Sequence, residues 1–174
     1  MAHVGQVVDN PVTKDTLTIV AMGDDRFEMD FTMYPGGFIP TLHTHPNQQE
    51  RFRIVAGRPL FSVARRKHRA SPGETIVVPP RTAHKFRNDT GEDVRINVEF
   101  TPALRTAELF VVLGTLAQTG KLTKRGIPRN PLLGAMFVHE FRNEIRSAGM
   151  LAITNAFVAP MAALGRLFGL RLPA

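Results

Sequence analysis

The chain has 174 residues and no cysteine, with hydrophobic residues at 43% and charged residues at 21%. That is ordinary for a globular chain with a sizeable core, and it excludes disulfides, zinc fingers, iron–sulfur clusters and thiol chemistry. The net charge of +7 is uneven: residues 1–100 carry thirteen Lys and Arg against twelve Asp and Glu, whereas residues 101–174 carry nine against three, so any acidic partner belongs to the C-terminal part.

The opening MAHVGQVVDNPVTKD lacks the basic patch, apolar run and small-residue cleavage site of a secretory signal, which gives a cytoplasmic reading. From about Asp15 to Thr101 the chain is predicted to form short strands: DTLTIVA, RFEMDFTMY, QERFRIVA, PLFSVA, ETIVVP, HKFRN and VRINVEF. They alternate with period two and are rich in β-branched and aromatic residues. Turn formers separate them, among them Gly23-Asp24-Asp25, Pro35-Gly36-Gly37 and Ser71-Pro72-Gly73. Regular strands and turns without intervening helices predict a mainly β, antiparallel sandwich or barrel. The basic run Arg65-Arg66-Lys67-His68-Arg69 is read as a solvated hairpin tip. It lacks the aromatic interleaving of a nucleic-acid surface, so no nucleic acid is expected as a partner.

After Thr101 the pattern turns helical. Thr101-Pro102 resembles an N-cap followed by proline, opening a helix that runs to Gly120. Asn130-Pro131 repeats that signal, and Leu133, Phe137, Phe141 and Ile145 at helical spacing predict a second helix ending near Gly149. His139-Glu140 lies on it as a surface pair, since Asn143 stands where a zinc protease has its second histidine. A third apolar stretch, MLAITNAFVAPMAALGRLFGL, contains Pro160, which is expected to kink or break it. Residues 147–165 carry no charge. Packing against the barrel or against a second copy of the chain, as a homodimer, is the ordinary use of such a segment. An interfacial helix making peripheral membrane contact, aided by Arg166 and Arg171, is the other.

One segment concentrates metal-ligating side chains. His43 and His45 are two apart and leave a strand on one face, Pro46-Asn47 turns the chain, and Glu50 can come back toward them. His84 is the candidate fourth ligand, from another strand. Three imidazoles and a carboxylate suit one divalent transition metal, with iron, manganese, nickel, zinc and copper all acceptable.

The spacing carries a family resemblance. Gly37, His43, His45, Glu50 and Gly57 match the first cupin motif in every position, and Gly73, Pro79, His84 and Asn88 match the second. Arg81 stands where the second motif usually has glycine. The resemblance implies a cupin jelly-roll β-barrel over residues 1–101, followed by C-terminal α-helices over 102–174. It also implies His43, His45, Glu50 and His84 as metal ligands.

If Glu50 and His84 point inward, period-two counting turns Phe52, Ile54 and Phe86 inward as well and makes them candidate substrate-pocket residues. Arg81 joins them as a cation that could reach the barrel mouth. No Ser–His–Asp set or phosphate-binding loop competes for a chemical role. The expectation is a metal-dependent oxygenase acting on a small organic molecule. The alternatives are a non-catalytic module that binds a small ligand, and a metal-dependent isomerase or lyase.

Overall fold

The structure is a computed structural model that describes residues 2–148 and 156–173. Two antiparallel sheets face each other. The first has six strands: β1 (Val7–Asn10), β2 (Asp15–Met22), β3 (Phe27–Met33), β10 (Val94–Thr101), β5 (Gln49–Ala56) and β8 (Thr75–Val78), side by side in that order. The second has five, ordered β11 (Arg146–Ser147), β4 (His43–Thr44), β9 (His84–Arg87), β6 (Leu60–Val63) and β7 (Arg66–Arg69). The helices are α1 (Thr106–Gln118), α2 (Pro131–Glu140) and α3 (Val158–Leu167).

Period-two alternation decides which side chains face the interior. On β10, Val94, Ile96, Val98 and Phe100 are buried while Arg95 is exposed. On β5, Glu50, Phe52 and Ile54 are buried while Arg51 and Arg53 are exposed. Between the sheets Phe52 meets Phe61 and Phe86 with ring centres 5.0 and 5.4 Å apart, and Phe31 meets Phe86 edge-on at 5.8 Å. Such aromatic pairs add ~0.5–1.5 kcal/mol each beyond the area they bury.

The two motif turns account for their residues. Gly57 has φ +78, and a Cβ there would lie 2.7 Å from the Asp93 carbonyl oxygen, so only glycine fits. Arg81 also has positive φ, at 64, the left-handed conformation that its usual glycine would take without strain.

Four sequence expectations need correction. Thr101-Pro102 does not cap a helix: Thr101 is the last residue of β10, paired with Gln49. Instead α1 starts at Thr106 after Arg105, with no side-chain cap. The second helix stops at Glu140, nine residues short of Gly149. Its continuation loses to tertiary bonds, since Glu144 Oε1 accepts from the Arg105 N–H and the chain then enters β11. The basic run is a strand as well as a turn. The tip is Ala64-Arg65, both at positive φ, and Arg66–Arg69 form β7, an exposed sheet edge whose charges discourage further strand pairing. Pro160 breaks nothing in α3, because it sits in the first turn, where a missing N–H costs no helical bond.

The Asn130 cap holds as predicted, its side chain accepting from the N–H groups of Leu132 and Leu133. Residues 149–155 of the uncharged stretch lie outside the described residues. Among the described residues no helix is long and apolar enough to cross a membrane.

Candidate metal centre

The four predicted ligands converge from separate places. His43 on β4 is in register with His84 on β9, so these two imidazoles come from one sheet. Glu50 comes from β5 of the facing sheet, and His45 from the turn between β4 and β5. All four are buried, and one ligating atom from each lies within 4.8 Å of the others. Glu50 Oε2 is 2.7 Å from His84 Nε2 and 3.2 Å from His45 Nε2.

Backbone carbonyls fix the histidine tautomers. Nδ1 of His43 donates to Thr41 O at 3.0 Å, Nδ1 of His84 to Thr82 O at 2.9 Å, and Nδ1 of His45 to Glu144 O at 2.6 Å. Carbonyl oxygens only accept, so each Nδ1 carries its hydrogen and each Nε2 points its lone pair or its acid proton into the cluster. This orienting layer is what a metal-ligating histidine requires.

The electrostatics agree with a site built for a cation. Burial, reinforced by the neighbouring His84 and His45, pushes His43 down to about 3, so it stays neutral and able to ligate. Burial alone would raise Glu50, but His45 and His84 outweigh it and hold the carboxylate far below its ordinary range. Burial likewise works against His84, and Glu50 overcomes it and raises that imidazole. His45 Nε2 is buried without a hydrogen-bond partner among the described residues. An orphaned imidazole nitrogen beside a carboxylate and two more imidazoles is the donor set expected of a divalent transition-metal site, and the residues fit one.

The cluster opens into a cavity of about 470 Å³ whose wall is largely apolar. Phe52 and Phe86 line it, as period-two counting predicts. Ile54 is buried but is not among the lining residues, and Arg81 is exposed outside the cavity, its backbone N–H bonded to His45 O at 2.8 Å. The C-terminal segment completes the wall with Phe110, Phe137, Ile145 and Met161. It also supplies β11, which pairs Ser147 with His43, and the Glu144 carbonyl that orients His45.

Three contributors escaped sequence reading. The Glu144 carbonyl has no signature, because any residue offers one. Asp15, at the start of β2, is buried in the cavity wall and becomes visible only once β2 is placed. Gln48 could have been found by counting two residues back from Glu50.

Residues 29–100 match the family described as "Cupin domain", and they contain all four clustered residues. Those residues form a cupin domain, and the fold is that of the cupin superfamily. Among solved cupin-like structures, an RmlC-like cupin from Shewanella frigidimarina is 14% identical with a TM-score of 0.52. The alignment covers 59% of this chain and 87% of that one. KdgF from Halomonas sp. is 23% identical with a TM-score of 0.51, covering 55% of this chain and 84% of that one. An uncharacterized protein of Methanocaldococcus jannaschii is 37% identical over 54 residues, which are 31% of this chain and 43% of that relative. The likenesses to the solved structures establish the cupin fold.

Proposed function

We propose that this cupin is a metal-dependent enzyme that oxidises a small, mostly apolar organic molecule inside the barrel. One divalent transition metal would be held by His43, His45, Glu50 and His84. The observation that supports this most is the cluster itself: three imidazoles with committed Nδ1 hydrogens and one carboxylate, buried together in the wall of a largely apolar cavity. When bound, the metal supplies Lewis acidity and, if redox-active, oxygen chemistry. The chain's own share is to hold the imidazoles in one tautomer, keep His43 neutral, and exclude water with Phe52, Phe86, Phe100 and Phe137.

The test is to reconstitute the protein with iron and with zinc and to follow oxygen consumption with a panel of small phenols and alicyclic alcohols. Substrate-dependent uptake with iron and none with zinc supports the oxygenase. Product formation without oxygen uptake contradicts it.

Asp15 favours a second reading, an isomerase or lyase using the same metal ligands. Its carboxyl lines the cavity and is pushed up to about 6 by burial, where a group can both hold and release a proton near neutral pH. Homodimer formation is supported by Val55 and Val77, which stand exposed on neighbouring strands of the six-stranded sheet, and light scattering measures it. Peripheral membrane contact is supported by the exposed Leu164, Leu167 and Phe168 beside Arg166. Liposome co-sedimentation that does not change on substituting those three residues contradicts it.

A further inference from the structure

One residue bordering the cavity carries a buried polar atom with no partner among the described residues. Gln48 is fully buried and lines the cavity with His45 and Glu50. Its Nε2 donates to the carbonyls of Pro102 and Ala103, at 2.8 and 3.0 Å, and to Thr106 Oγ1 at 2.7 Å. The two carbonyls only accept, and Thr106 Oγ1 gives its own hydrogen to Ala103 O at 2.6 Å. The amide therefore cannot be turned around: the nitrogen must face these acceptors and the oxygen must face elsewhere. Oε1 is left buried with no hydrogen-bond partner among the described residues.

An unpaired buried acceptor costs ~1–3 kcal/mol, and the three acceptors that share the two Nε2 hydrogens hold this one in a fixed direction. A site that keeps such an acceptor rewards a ligand that brings a donor and rejects one that does not. Resting on the reading of the cavity as the substrate site, we propose that Gln48 Oε1 accepts a hydrogen bond from the bound molecule. Gln48 thereby selects small, largely apolar molecules bearing a hydroxyl or N–H group over isosteres that lack it. It acts as a specificity-determining residue beside the metal, outside the ligand set.

Phenol and toluene are the probes, because they match in size and differ in the donor. An apolar wall alone prefers toluene, since phenol must strip its hydroxyl of water. The Gln48 acceptor reverses that order. Calorimetry on the full-length protein, metal-free and zinc-loaded, is expected to show phenol binding at least ~10-fold tighter in both forms, the discrimination of one hydrogen bond. The metal-free form separates the bond to Gln48 from attachment of the phenol oxygen to zinc. Gln48→Met keeps the length, removes the acceptor, and is expected to return the preference to toluene. In the wild-type protein the 13C signal of the Gln48 carboxamide is expected to shift with phenol and not with toluene, which needs no variant to fold.

Toluene binding as tightly as phenol, binding of neither, a phenol preference that survives Gln48→Met, or an unmoved carboxamide signal each overturns the assignment. Zinc content is read separately. Phenol preference without zinc uptake sinks the metal reading alone, and zinc uptake without phenol preference sinks this one alone.

Discussion

Replacing Asp15 with asparagine should make the protein more stable, and only above the pH at which the carboxyl ionises. Asp15 begins β2, is 9% exposed, and faces the apolar cavity. Burial pushes its carboxyl up to about 6 from 3.8, Asp9 adds to the rise, and a hydrogen bond with Thr13 works against it. Between those two values the folded protein holds a proton that the unfolded chain has already released. Stability therefore falls as pH rises through that window. With ~1.4 kcal/mol for each tenfold change in proton affinity, the loss is complete near pH 7 at ~3 kcal/mol. Asp15→Asn keeps the shape and removes the ionisation. It should gain up to ~3 kcal/mol at pH 7.5 and only ~0.5 kcal/mol at pH 4. Urea unfolding at both values measures this, with a midpoint ~1–1.5 M higher at pH 7.5 for a chain of this size. A gain of the same size at both pH values, or a loss at pH 7.5, would refute the argument that burial of charge governs this position.

Arg81→Gly should raise stability by ~1 kcal/mol, because glycine occupies φ 64 without a Cβ clash and the exposed arginine side chain loses no packing; a lowered melting temperature contradicts this. Asn130→Ala should lower stability by ~1 kcal/mol in thermal melts by leaving the Leu132 and Leu133 N–H groups unpaired, while Asn130→Ser should recover most of it. Zinc at a hundred times its dissociation constant should stabilise the wild-type protein by ~2.7 kcal/mol. A chelator should reverse that gain and His84→Ala should abolish it; an equal thermal shift in that variant would place the zinc elsewhere.

The barrel was legible because period-two burial is written into its strands. QERFRIVA and VRINVEF alternate so regularly that the inward set, Glu50, Phe52, Ile54 and Ile96, Val98, Phe100, follows from counting. The four clustered residues were legible because each stands on or beside such a strand, with turn glycines such as Gly57 that tolerate no side chain. The helical part was legible only where a local signal acts locally, as at Asn130. Where distant contacts decide, the local pattern misled. Phe141 and Ile145 continue the helical spacing, yet Glu144 is held by Arg105 and His45, and the chain becomes a strand beside His43. Thr101-Pro102 looked like a cap because pairing of Thr101 with Gln49 cannot be seen in a short window. The contribution of residues 102–174 to the cavity was illegible for the same reason: it is made largely of apolar contacts, the pairing of β11 with β4 and the Glu144 carbonyl, none of which marks a residue as special.

The central claim is that His43, His45, Glu50 and His84 hold a transition metal, and elemental analysis of the purified full-length protein tests it most directly. The account predicts one transition-metal ion per chain in the wild-type protein and none in the His43→Ala, His84→Ala double variant. A wild-type protein that carries no metal even after incubation with excess iron, manganese, nickel, zinc and copper would contradict it, as would a double variant that retains the ion.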